Sequence, residues 1–115
     1  MTLGEAQREF AWHISLLIQH IYATGHEVTF GDAYRSPRAH GGMGEQGPYG
    51  RAWSAHKQRL AIDLNLFSPE GEYLTSTDDH EQFGRYWVAL SPDDNVWGGD
   101  FDDGNHYSKR YNGIA

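Results

Sequence analysis

The stretch Leu60-Ala61-Ile62-Asp63-Leu64-Asn65-Leu66 decides how the chain is read. Its large aliphatic residues fall on every second position, the period of a strand with one face in the core. Asp63 therefore projects from the opposite face, onto the floor of a cleft or into water. Upstream, Glu27–Ala33 alternates through Val28 and Phe30 and reads as a second short strand. Downstream, Ser68-Pro69-Glu70-Gly71 is a turn from which Glu72–Leu74 returns as the other arm of a hairpin. Asn95–Trp97 and a segment beginning at His106-Tyr107 read as further strands, with Gly98-Gly99 a sharp turn after the first. Two helices frame these strands. Thr2 and Glu5 form a capping box, Phe10, Ile14, Leu17, Ile18 and Ile21 recur at helical spacing, and Gly25 follows the end. Thr77, followed by Asp78 and Asp79, is expected to cap the second helix; Phe83, Trp87 and Leu90 mark its buried stripe and Ser91-Pro92 its end. The expectation is an α+β fold, a small antiparallel sheet with helices packed on one side, in a single domain over residues 1–115.

Composition narrows the function classes. Hydrophobic residues are 38% and charged residues 22%, ordinary globular values. There are no cysteines, so disulfides and thiolate metal sites are excluded and a metal must be held by His, Asp and Glu. The formal net charge is −7, which offers no basic surface to nucleic acid or to an anionic membrane. The first ten residues lack a basic segment followed by an apolar run, and no apolar run approaches the length of a membrane span. A cytoplasmic monomer is expected, reaching other compartments only after release by another protein.

Two short polar stretches carry the chemistry. Ser54–Asp63, SAHKQRLAID, and Asp103–His106, DGNH, together supply two histidines and two carboxylates. His56, Asp63 and His106 make the two-nitrogen, one-oxygen set with which a catalytic zinc is held while a fourth position stays open. Asp103, three residues before His106 around Gly104, remains as a base for the attacking water. Residues seven apart in one strand face opposite ways, so His56 must precede the strand, or a bulge must intervene, for His56 and Asp63 to meet. Arg35 is the candidate cation for the substrate carbonyl or a substrate carboxylate. On spacing alone other readings stay open: Asp100, Asp102 and Asp103 as a solvated loop or weak calcium site, or two His and one carboxylate around a non-haem iron. His13 and His20 lie two turns apart on the first helix, about 10 Å, too far for one metal, and read as packed or solvated side chains. Residues 38–53, with five glycines between Gly41 and Gly50, read as a long loop leading into the ligands.

Ser54-Ala55-His56-Lys57-Gln58-Arg59-Leu60-Ala61-Ile62-Asp63 resembles the S-x-H-x-x-G-x-A-x-D signature of peptidase family M15, which holds D-alanyl-D-alanine carboxypeptidases, dipeptidases and phage L-alanyl-D-glutamate endolysins. Ser54, His56, Ala61 and Asp63 match, and Arg59 stands in the glycine position. Trp97-Gly98-Gly99-Asp100-Phe101 leading to Asp103-Gly104-Asn105-His106 is similar to the family's second signature, W-G-G-x-[WF] then [DE]-x-x-H. Tyr34-Arg35-Ser36 resembles the segment with its substrate-binding arginine. The resemblance implies zinc on His56, Asp63 and His106, Asp103 as general base, and Arg35 and Ser54 toward substrate. It implies a hedgehog- and DD-peptidase-like architecture and peptide stems of peptidoglycan as substrate, cut by an endolysin-type endopeptidase. A D-Ala-D-Ala carboxypeptidase and a non-catalytic zinc-containing module are the alternatives. Ser108, where the family often has Glu or Gln, departs from the pattern.

Overall fold

A computed structural model describes residues 1–34 and 54–115. The first helix, α1, runs from Leu3 to Ala23, with Thr2 and Glu5 exchanging side-chain-to-backbone hydrogen bonds of 2.9 and 3.1 Å, so the capping box forms as read. Strand β1 (Glu27–Phe30) is followed, beyond residues 35–53, by a short 3-10 helix (Ala55–Gln58) and strand β2 (Ala61–Phe67). Then come β3 (Tyr73–Leu74), helix α2 (Thr77–Leu90), β4 (Asn95–Trp97), a second 3-10 helix (Gly98–Phe101) and β5 (His106–Lys109). The cap of α2 lies one residue earlier than the sequence suggests. Ser76 accepts from the Asp79 N–H at 3.2 Å, while the Thr77 hydroxyl turns away to donate to Asp102 at 3.0 Å.

All strand pairings among the described residues are antiparallel, in the order β1-β2-β5-β4, with β3 paired to the end of β2. The fold is thus α+β, as expected, and β2 is its hub. Leu60, Ile62, Leu64 and Leu66 are buried and join Phe10, Leu17 and Ile21 of α1, Phe83 and Trp87 of α2 and Tyr107 of β5 in one core. Full burial of side chains this size contributes about 1.5–3 kcal/mol each, which holds both helices on one face of the sheet. Phe30, in the strand the alternation marks, is 68% exposed at the sheet edge. Trp12, off the apolar stripe of α1, is likewise exposed. His13 is buried, within 3.3 Å of the Asn95 side chain, and His20 stacks on Tyr86, so neither is near a metal set. No helix among the described residues is long and apolar enough to cross a membrane.

Candidate metal centre

The register of β2 against β5 places Asp63 directly opposite His106. The Asp63 backbone bonds outward to Gly31 and Asp32, at 2.8 Å each, rather than to His106. Asp63 and His106 are therefore a non-hydrogen-bonded antiparallel pair, the kind in which facing Cα atoms approach to about 4.5 Å and side chains crowd together. The carboxylate Oδ1 and His106 Nδ1 stand 3.5 Å apart. His56 arrives from the 3-10 helix that precedes β2, which meets the parity requirement without a bulge. Ser54 caps that helix, its Oγ accepting from the His56 N–H at 3.2 Å. Arg59 closes it with φ 58° and ψ 37°, a left-handed conformation. The glycine of the resembling signature thus falls where the backbone favours glycine, and the negative φ under which arginine would be tolerated there is not found.

His56 Nε2 lies 3.4 Å from the same Asp63 Oδ1, and the ligand atoms of all three residues lie within 4.8 Å of one another. Ligand bonds of about 2.0–2.1 Å around a tetrahedral zinc put neighbouring donors about 3.3–3.4 Å apart, so both measured edges match. Two of the atoms, His56 Nε2 and Asp63 Oδ1, are buried with no hydrogen-bond partner among the described residues. The other ring nitrogen explains why this matters. His56 Nδ1 is 3.4 Å from the Ala33 carbonyl, which can only accept, so Nδ1 carries the proton and Nε2 presents a lone pair to the carboxylate. Acceptor then faces acceptor inside the protein, an arrangement that a cation between them, whether a metal ion or a proton, resolves. Burial opposes the charge on Asp63, but the contacts from His106 and then His56 outweigh it and hold the carboxyl well below the usual carboxylate range. The ligand oxygen is accordingly ionised and ready. The group His56, Asp63 and His106 can hold a metal ion.

The turn that carries Asp103 and His106 is fixed by Trp97. Its indole lies against Gly84 of α2, where an added Cβ would come within 2.1 Å of the ring, and its Nε1 donates to the Gly104 carbonyl at 2.7 Å. Gly98 is equally constrained, since a Cβ there would meet the Asp103 carbonyl at 2.3 Å. The Trp-Gly-Gly run is therefore a close-packing device under the site. His106 N–H closes the turn on the Asp103 carbonyl at 3.1 Å.

A cavity of about 490 Å³ opens over the ligands, with His56, His106, Ser54 and Asp103 among its walls. Asp103 is exposed there with no protein ion pair among the described residues, free to meet a solvent-borne group. Arg35 lies outside the described residues, as does the loop 38–53. Arg110 and Phe101 also line the cavity. The sequence reading missed both, although Arg110 shares strand parity with His106 and so was within reach. Compared with protein-family models and with curated proteins, the chain matches none.

Proposed function

We propose that the chain is a zinc-dependent peptidase acting on the peptide stems of peptidoglycan, an endolysin-type endopeptidase. What supports this most is the convergence of His56 Nε2 and His106 Nδ1 on Asp63 Oδ1, at 3.4 and 3.5 Å, beside a cavity that also presents the exposed carboxylate of Asp103. A metal in a purely structural role is enclosed by four protein ligands; the set of three found among the described residues, beside a cavity, keeps the position that hydrolysis needs. A bound zinc would supply a Lewis acid for the substrate carbonyl and a water of pKa near 7. The choice of peptidoglycan rests on the resemblance of both motifs to family M15.

In this reading the chain's own groups divide the work. Ala33, through its carbonyl, holds the proton on His56 Nδ1 and so orients Nε2. Asp63 contributes the negative charge that keeps a dication in place. Asp103 takes a proton from the attacking water and returns it to the leaving amine. Arg35, which lies outside the described residues, is assigned to the developing oxyanion or a substrate carboxylate by the motif resemblance alone.

Asp103→Asn is the direct test. It preserves shape and the turn while removing the base, so one metal per chain and unchanged unfolding are expected with hydrolysis lowered about 10²–10⁴-fold. Full activity in the variant would remove Asp103 from the mechanism. Wild-type metal binding with no hydrolysis of any stem peptide would leave the non-catalytic module as the reading.

A further inference from the structure

Resting on the peptidase reading, we infer that Arg110 forms a carboxylate-binding subsite in the metal cavity, selecting peptides with a free carboxylate within about two residues of the scissile bond. His106, Ser108 and Arg110 alternate along one line of chain, and side chains two apart share a face. His106 turns to Asp63 and the cavity, and Arg110 lines the same cavity. Four residues of strand separate their Cα atoms by about 13 Å, and two long side chains reaching inward leave about two extended peptide residues between metal and guanidinium.

The backbone under Arg110 is held on every side. Its N–H donates to the Asp94 carbonyl at 2.7 Å, and the preceding Lys109 N–H donates to the Leu60 carbonyl at 2.8 Å. On the other side Tyr111 and Ile114 form a bridge around Asn112 and Gly113, with φ of 51° and 75°, the type I′ geometry of a tight hairpin. The Lys109 ammonium is buried against Glu9 at 2.6 Å and Asp94 at 3.6 Å, so these carboxylates are committed away from the cavity. Arg110 itself is exposed, and among the described residues its guanidinium makes no ion pair, although Asp100 and Asp103 line the same cavity. A fixed base and an uncommitted planar fork suit bidentate capture of a carboxylate. A dication held by His56, Asp63 and His106 would give the cavity two positive ends, one for the scissile carbonyl and one for the carboxylate.

The probe is the stem pentapeptide L-Ala-γ-D-Glu-L-Lys-D-Ala-D-Ala in three forms: free acid, C-terminal amide, and amide at the D-Glu α-carboxylate. Calorimetric binding is measured on zinc-loaded Asp103→Asn protein, where the peptide persists, with Arg110 intact, Arg110→Gln or Arg110→Lys. Cleavage of the same peptides is measured with Asp103 present. One of the two amidations is expected to weaken binding roughly ten- to hundredfold when Arg110 is intact. Arg110→Gln is expected to abolish that preference and Arg110→Lys to restore part of it, at equal zinc content. A preference retained in Arg110→Gln, or absent with Arg110 intact, overturns the subsite. Arg110-dependent binding without cleavage would leave the subsite standing and remove the peptidase; equal cleavage and equal binding of all three forms would do the reverse.

Discussion

Arg59 carries the left-handed residue of the turn that hands His56 to the metal set, and two substitutions there isolate its backbone. The side chain is exposed, and its guanidinium lies 4.3 Å from the centre of the Tyr34 ring. Arg59→Gly and Arg59→Ala both remove that contact, so it cancels between them. What remains is the Cβ at φ 58°. Left-handed backbone costs an L-residue about 1–2 kcal/mol and glycine essentially nothing. Glycine's freer unfolded chain offsets about 0.4–1 kcal/mol of that gain. Arg59→Gly should therefore exceed Arg59→Ala by about 1 kcal/mol, or about 4 °C in Tm for a domain of this size. The natural chain, keeping an exposed cation–π contact of about 0.5–1 kcal/mol, should fall between them or close to the glycine variant. Urea unfolding in the presence of chelator measures the difference without contribution from bound metal. An alanine variant as stable as the glycine variant would refute the left-handed turn, and with it the route by which His56 reaches Asp63.

Three other perturbations bear on the packing and the metal set. Gly84→Ala drives a methyl into the Trp97 indole and should cost about 1–3 kcal/mol in urea unfolding while weakening metal affinity through the displaced Asp103–His106 turn. Zinc at a hundred times its dissociation constant should stabilise the wild type by about 2.7 kcal/mol in thermal unfolding, and Asp63→Asn should lose most of that gain. His80 is buried against the Tyr107 hydroxyl at 3.0 Å, and burial pushes its pKa below 6.5. The unfolded chain then binds the proton first, so this stability is present above pH 6.5 and drains away as pH falls through the unfolded value. The slope of urea stability between pH 7 and pH 5 should be shallower in His80→Gln than in wild type; an unchanged slope would contradict the assignment.

Much of the fold was legible because its signals are local. The period-two run from Leu60 to Leu66, the Thr2–Glu5 box and the stripe of α1 each specify one element without reference to the rest, and each formed as read. The cap of α2 was misplaced by one residue because Ser76 and Thr77 are equally good acceptors, and only the position of Asp102 draws the Thr77 hydroxyl away. Phe30 has the chemistry of a core residue but sits at a sheet edge, a matter of tertiary context that alternation cannot see. For the site, residue types and spacing nominated His56, Asp63 and His106 but left other readings open, and the motif resemblance narrowed them. Register was what they lacked: the non-hydrogen-bonded pairing of Asp63 with His106 joins segments 43 positions apart and has no local signature. The packing of Trp97 on Gly84 and the carbonyl of Ala33 behind His56 are also long-range, and each is silent in a spacing pattern.

The most direct measurement is digestion of purified peptidoglycan by the zinc-loaded protein, with released fragments identified by mass spectrometry and a parallel reaction in chelator. New amino and carboxyl termini within the stem peptides, lost with chelator and restored by zinc, are the expected result. Intact stem peptides despite one zinc bound per chain would contradict the assignment as a peptidoglycan peptidase.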